Sequence, residues 1–402
     1  MILISLLGTA VASLLLVASL SDLISLARVV LGRGSARPAQ RPDGTPRLLF
    51  LVPAHNEELL ITSCVHSFLQ QEYPAAALAM FVIADNCTDR TAALARAAGA
   101  TCLERYDLSH PGKPQAIAWA LRRLPIADFD GVVIVDADVV LDAGFAAGIA
   151  EAAPVRAKVV QAYNDVRNPH DSALTRMAAV LSAANHGFAF ALKTRAGVNV
   201  PLGAGMSIGT DVLQKYGWQV FTIGEDWELY ALLTEQGVHT ESAPRARIYA
   251  EEARSLRQSQ SQRHRWTAGK LTVLFRYGRR LLHSRSVDAY RKLDAIAELL
   301  ATGPAVHLGV VVALATALLV SNAPGAPWVV GALLASLLRP TTYALLALVQ
   351  DPEPWRAALA FSYLPIYTVW RLGVQATALT MLGDKPWVRT ERNQLRQASG
   401  KP

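Results

Sequence analysis

An apolar run that ends in two carboxylates, Gly131-Val-Val-Ile-Val-Asp-Ala-Asp138, constrains the fold more than any other stretch of this sequence. From Gly131 to Val135 most positions are β-branched, the composition of a strand buried on both faces of a helix-covered sheet. Free charge is not stable in such a layer, so Asp136 and Asp138 mark its exposed C-terminal end. Open α/β sheets bind ligands at that end. Two carboxylates at i and i+2 on a turning backbone can reach one hard divalent cation, which in turn can hold a diphosphate. Taken alone, the pair serves equally well as two turn caps.

Two earlier segments repeat the pattern. Strands expected at 48–52 and 79–84 precede helices at 58–70 and 89–98, and a helix at 112–121 leads into the strand at Gly131. Each strand runs out into polar residues: Pro53-Ala-His-Asn-Glu57, Asp85-Asn-Cys-Thr-Asp89 and Asp136-Ala-Asp138. Alternating strands and amphipathic helices predict a mostly parallel sheet with these three clusters along one rim.

The 402 residues exceed the needs of one α/β domain. Hydrophobic residues make up 52% of the chain and charged residues 18%, with a mean hydropathy of +0.24, so part of the chain is expected in lipid. Residues 1–21 carry no charged side chain, and Asp22 is followed by Arg28, Arg33, Arg37, Arg41 and Arg47. A secretory signal has the opposite order. Residues 1–27 therefore read as a retained transmembrane helix with its N-terminus outside, and 28–47 as a basic linker. The domain 48–270 is then held in the cytoplasm. Residues 271–297 mix apolar side chains with Arg276, Arg279, Arg280, Arg285, Arg291 and Lys292, the pattern of a basic interfacial helix. In the C-terminal membrane region 298–384, residues 299–338 lack Asp, Glu, Lys and Arg, and Ser321-Asn-Ala-Pro-Gly-Ala-Pro327 interrupts them. A hairpin of helices at about 299–320 and 328–350 follows. The stretch 356–382, with Pro365 and Arg371, reads as spanning or interfacial. The interfacial or Pro365-broken form keeps the basic tail 385–402 in the cytoplasm. The expected location is the inner (plasma) membrane. Arg339 and Arg371 are costly in lipid unless paired; a lipid phosphate or headgroup is one expected partner, and snorkelling to the surface is the ordinary alternative.

The net charge of +7 does not point to nucleic acid, because the basic residues crowd beside apolar segments instead of forming an aromatic-interleaved patch. Cys64, Cys87 and Cys102 have no metal-ligand spacing and read as free thiols in a reducing compartment.

Six motifs stand in a fixed order: Pro53-Ala-His-Asn-Glu57, Ala84-Asp-Asn-Cys-Thr-Asp89, Gly112-Lys113, Asp136-Ala-Asp138, Gly224-Glu225-Asp226 and Gln262-Arg-His-Arg-Trp266. In this order they resemble the membrane-anchored family 2 glycosyltransferases of GT-A fold, among them cellulose, hyaluronan and chitin-oligosaccharide synthases and glycolipid glycosyltransferases. The likeness covers about 48–269 and extends into the C-terminal membrane portion. It implies an α/β nucleotide-diphospho-sugar transferase domain with transmembrane helices at both ends.

The resemblance also implies roles. Asp85 is placed like the carboxylate that accepts a hydrogen bond from the uracil imide, with Pro53, His55 and Glu57 lining the same pocket. Lys113 and Arg265 are placed to meet the donor phosphates. Asp138 is the implied direct ligand of Mg²⁺ or Mn²⁺, with Asp136 orienting ribose or metal. Asp226 corresponds to the base that deprotonates the acceptor hydroxyl. Glu225, Trp227, Gln262, Trp266, Gly203 and Gly205 fall on the acceptor side. Ordinary alternatives exist: a helix cap for Asp226, a first-turn carboxylate for Glu57, a helix-start lysine for Lys113 and a tight turn for the glycines. Two motifs depart from the family pattern, with Pro114 after Gly-Lys and Gly224 where relatives carry threonine.

The expected activity is inverting transfer of a sugar, from a nucleotide diphosphate donor of the UDP-sugar type, to a lipid or lipid-linked hydroxyl at the cytoplasmic membrane face. Two other functions stay open. One is a processive polysaccharide synthase acting on a saccharide, for which two or three C-terminal segments are few to build a channel. The other is a non-catalytic nucleotide-sugar-binding scaffold, which has no need of Asp138, Asp226, Arg265 and Trp266 together.

Overall fold

The computed structural model describes residues 1–34, 44–378 and 380. Arg37 and Arg41 of the linker, the far end of 356–382 and the basic tail 385–402 lie outside the described residues.

Eight strands form one sheet: β1 (Leu48–Ala54), β2 (Leu78–Asp85), β3 (Thr101–Arg105), β4 (Gly131–Ile134), β5 (Val139–Leu141), β6 (Val159–Val166), β7 (Met206–Gly209) and β8 (Thr240–Ala250). Their order is β3-β2-β1-β4-β7-β6-β8-β5. The half β3-β2-β1-β4 is parallel, with Leu51 opposite both Phe81 and Ile134. Across the middle the sense changes: β7 is antiparallel to β4 and β6, and β5 to β8, while β6 and β8 are parallel. Six of the eight strands thus run the same way, the mostly parallel sheet expected, and only β5 and β7 are reversed. The reversing strands β5 and β7 are three and four residues long, too short to show a period that sequence can reveal.

Both faces of the centre are covered, which is why β1 and β4 are apolar throughout. Alternate side chains serve two cores. Leu48, Phe50, Val52, Val133 and Val135 pack with Ile61, Val65 and Phe145. Leu49, Leu51, Val132 and Ile134 pack on the other face with Ile117, Tyr230 and Val273. Because β1, β2 and β4 run the same way, their polar C-terminal ends emerge at one edge, as the strand pattern predicts.

Two helices among the described residues are long and apolar enough to cross a membrane: Ile2–Val30 and Ala326–Gln350, of 29 and 25 residues. Helices Ala289–Leu300 and Pro304–Val320 reach that length only as a pair bent by 80°. The expected turn is present: Asn322 and Gly325 take positive φ between Val320 and Ala326. Helix Leu256–His283 runs straight through position 270, so the Gln262–Trp266 motif and the first basic residues of 271–297 share one helix. The stretch after residue 353 breaks into Pro354–Ala360, the turn Phe361–Tyr363 and Leu364–Ala378. Ala360, Tyr363 and Leu364 pack on Leu174 and Met177 of helix Ala173–Ala183.

Arg339 corrects a sequence expectation. It neither snorkels nor waits for a headgroup, because Nε donates to Asp22 Oδ2 at 2.7 Å and Nη2 lies 3.5 Å from Glu298 Oε1. Glu298 Oε1 also lies 3.2 Å from Lys193 Nζ, and Lys193 pairs with Asp294, which accepts from Ser21 Oγ at 2.8 Å. Lys193 and Asp294 are each 1% exposed. This buried chain of alternating charge joins the N-terminal helix, helix Phe190–Ala196, helix Ala289–Leu300 and helix Ala326–Gln350. Each charge is stable there because the next one supplies its counter-ion.

Candidate active site

At the edge where β1, β2 and β4 end, loop geometry locks the polar clusters together. Asn56 and Asn86 both adopt positive φ, a conformation asparagine tolerates. Asn56 Oδ1 accepts from the Thr88 N–H at 2.8 Å, tying the first cluster to the second. His55 Nδ1 lies 2.7 Å from the Asp85 carbonyl oxygen. Asp85 is 4% exposed; Arg105 Nη1 donates to its Oδ1 at 2.5 Å and the Gly112 N–H to its Oδ2 at 3.1 Å. A carboxylate accepts about four hydrogen bonds, so this clamp orients Asp85 and leaves it capacity for a ligand. The first N–H of the next helix is capped by Asp89 and not by Asp85: Asp89 Oδ1 accepts from the Thr91 N–H at 2.9 Å.

Lys113 opens helix Lys113–Leu121, with Pro114 in its first turn, so the departure from the family's Gly-Lys pattern is a helix start. Its Nζ lies 2.6 Å from Asp136 Oδ1 and 2.9 Å from Glu225 Oε1. One cation therefore bridges the β4 carboxylates and the Gly-Glu-Asp motif, which are far apart in sequence. Among the described residues no group of three or more His, Cys, Asp or Glu is placed to hold an ion unaided. The Asp136–Asp138 pair fits the other mode, in which one or two carboxylates, waters and substrate phosphates share a hard cation.

Asp226 lies in the first turn of helix Glu225–Glu235, capped by Gly224. A Cβ on Gly224 would come to 3.0 Å from the Gly269 backbone, so threonine here would push that backbone away by a few tenths of an ångström. The close crossing of the two glycines brings helix Leu256–His283 against the start of helix Glu225–Glu235. Trp266 and Lys270 flank Gly269 on that helix. Lys270 Nζ stands 4.2 Å from the Trp227 ring centre and donates to the Ala301 carbonyl at 2.7 Å. Burial pulls the Lys270 ammonium down to about 8. Burial, with Glu225 beside it, pushes the Asp226 carboxyl up to about 7, while the Trp227 N–H and Lys113 oppose the shift. A carboxylate poised near neutrality is suited to accept a proton in a transition state.

A cavity of about 1440 Å³ collects these groups. Pro53, His55, Glu57, Asp85, Lys113, Asp136, Asp138, Gly203, Glu225, Asp226, Trp227, Gln262, Arg265 and Trp266 all line it. Gly205 is not brought to the wall: it sits at φ +75°, and a Cβ there would meet Ala162 and Ile248 at 3.1–3.3 Å. It is a packing turn, the ordinary alternative for that loop. Gly203 is held by Gln161, whose Oε1 accepts its N–H at 2.7 Å. Trp266, 44% exposed, presents its indole in the cavity with the Arg263 guanidinium 4.7 Å from its ring centre. Residues that sequence reasoning passed over also line the wall: Gln161, His186, Phe190, Lys270, the 299–303 break and Gln375, together with Arg371, which the sequence had singled out as a costly charge in lipid. Lys270 had a detectable signal, one helical turn after Trp266. His186, which burial holds down at about 4, had none, since it sits in a π-helical turn, Ala184–Ala189.

Residues 46–269 match the family described as glycosyltransferase like family 2, more than half of the chain. No curated protein matches the chain in sequence. Among solved structures, the mannosyltransferase PcManGT from Pyrobaculum calidifontis, in complex with GDP-Man and Mn²⁺, is similar at a TM-score of 0.53 and 19% identity, over 92% of this chain and 96% of that one. TarS of S. aureus is similar at 0.43 and 15%, over 63% and 70%. Glucosyl-3-phosphoglycerate synthase of Mycobacterium tuberculosis, in complex with Mn²⁺, UDP and phosphoglyceric acid, is similar at 0.39 and 18%, over 57% and 78%. With the family's motifs gathered around one cavity at the rim of a mixed α/β sheet, the chain belongs to glycosyltransferase family 2 and is a glycosyltransferase.

Proposed function

We propose that the protein transfers a sugar, with inversion, from a nucleotide diphosphate donor to a hydroxyl of a lipid or lipid-linked acceptor at the cytoplasmic face of the inner membrane. The observation that carries this reading is the continuity of the cavity. It is lined both by Asp85, Lys113 and Asp138 and by Leu299, Leu300 and Gly303 at the bend between the membrane-side helices. Asp226 and Trp266 line the same cavity. A bilayer-borne acceptor reaches Asp226 from the membrane side without leaving its anchor.

Asp85 accepts the imide N–H of the donor base, held in position by Arg105 and Gly112. Lys113 and Arg265 bind the diphosphate, and Asp138, with Asp136, holds a Mg²⁺ or Mn²⁺ ion of the kind present with PcManGT. That cation, when bound, offsets negative charge on the departing diphosphate. Asp226 takes the proton of the attacking hydroxyl, and the indole of Trp266 supports the acceptor's apolar face. The expected donor is a UDP-sugar. Guanine also offers ring N–H groups to a carboxylate, and PcManGT was captured with GDP-Man, so a panel of UDP- and GDP-sugars decides the base.

Three results are expected. Radiolabelled donor supplied to membranes with total lipid extract gives lipid-soluble label; label found only in long water-soluble polymer overturns the lipid acceptor. Asp138→Asn lowers kcat/KM by roughly 10²-fold and moves Mn²⁺ activation to higher concentration. An unchanged Mn²⁺ titration removes Asp138 from the metal site. The pH dependence of kcat/KM shows an acid limb with its midpoint at about 7, because Asp226 must be ionised to accept the proton. A midpoint at about 4, the ordinary carboxylate value, counts against Asp226.

A further inference from the structure

The membrane-side end of the cavity contains a cation that the donor chemistry does not use. Arg371, on helix Leu364–Ala378, lines the cavity, and so does Gln375, one helical turn further along. Arg371 Nη1 is buried and has no hydrogen-bond partner among the described residues. Its charged and titratable neighbours do not offer an anion. Arg263 and His264 face it from helix Leu256–His283, and Tyr367 from its own helix. The nearby carboxylate of Glu252 is already taken, 3.0 Å from Arg263 Nη2. Arg339, another arginine of the membrane region, contrasts with it: that guanidinium is neutralised internally by Asp22 and Glu298.

A partly buried guanidinium with a donor left over and no paired carboxylate among the described residues is unfavourable unless a ligand brings negative charge. The planar fork of arginine suits phosphate oxygens, and a glutamine amide adds a neutral donor beside it. Leu271, Leu299 and Leu300 supply an apolar wall to the same cavity. Phosphate recognition next to apolar surface, sharing a space with Asp226, is what an acceptor with a phosphate and an apolar body requires.

We propose that Arg371 and Gln375 form a subsite for a phosphate group of the acceptor, so that the substrate receiving the sugar is a phosphate ester, either a lipid headgroup or a soluble compound. The proposal deepens the transferase reading above and rests on it for the word acceptor; the anion site itself is tested apart from transfer.

The test uses the full chain in detergent micelles with saturating Mn²⁺ and the nucleoside diphosphate of the donor that turns over, so that the donor side is filled. Inorganic phosphate is the probe, followed by calorimetry. Saturable binding is expected, weakened about tenfold in Arg371→Gln and largely restored in Arg371→Lys. No phosphate binding, or equal binding in wild type and Arg371→Gln, overturns the subsite. Mass analysis of the transfer product then identifies the source. A phosphorus-bearing product in the organic phase assigns a lipid headgroup, and one in the aqueous phase a soluble phosphate ester. A phosphorus-free product overturns the proposal. Failure of the parent reading looks different: Asp226→Asn transfers as well as wild type, while phosphate binding still depends on Arg371.

Discussion

Asp226→Asn lowers kcat for sugar transfer by roughly 10²- to 10⁴-fold, the range expected when a positioned general base is lost. The amide keeps the size and the contact to the Trp227 N–H, which donates to Oδ1 at 2.8 Å, but it cannot accept a proton. Stability moves the other way. Burial and Glu225 hold the folded-state carboxyl at about 7, above its unfolded value, so the native state binds the extra proton between about 4 and 7. Stability is therefore given up as pH rises through that window. The neutral amide avoids the loss, and the thermal midpoint of Asp226→Asn lies above that of wild type at pH 8 by about 2–4 °C, with the gap closing toward pH 4. Scanning calorimetry of both proteins across pH checks the sign. A variant that is less stable than wild type at pH 8 shows that the carboxylate is structural.

The second large effect is far from the chemistry. Lys193→Met removes the cation between Asp294 and Glu298, at 3.2 Å from Glu298 Oε1, and leaves those carboxylates facing each other with little solvent. Breaking a buried pair by deleting one partner costs about 3–5 kcal/mol. The loss reaches four helices, because Glu298 is also paired with Arg339, which donates to Asp22. Adding Asp294→Leu to Lys193→Met removes the stranded charge and is expected to recover part of the loss, a coupling that a double-mutant cycle measures. If Lys193→Met unfolds at the wild-type temperature, the charge chain does not hold the membrane helices to the catalytic part.

The sequence revealed those parts of the molecule where local pattern and chemistry coincide. The strands ending at His55, Asp85 and Asp136 are central and parallel, so their apolar runs are continuous and their polar ends abrupt, and the rim could be drawn before any coordinates. The helix after Gly112 and the turn at Ser321–Gly325 announced themselves by Pro and Gly. What stayed hidden depends on contacts between distant residues. Nothing near Arg339 indicates that its partner is Asp22, 317 positions away. Lys113 reads as a phosphate lysine, and only the fold shows it joined to both Asp136 and Glu225. The substitution of Gly224 for threonine is unexplained until Gly269 is seen against it. Gly203 and Gly205 are indistinguishable in sequence, yet one lines the cavity and the other packs on Ala162. Strands as short as β5 and β7 carry too few residues for a period, so the two reversed strands had no signal of their own.

The central claim is direct displacement at the anomeric carbon with Asp226 as base, and the anomeric configuration of the product tests it most directly. An α-linked nucleotide sugar turned over by the protein, with the product linkage read by NMR coupling constants, is expected to give a β-linked sugar. An α-linked product means that configuration was retained, and it would contradict single displacement and the role assigned to Asp226.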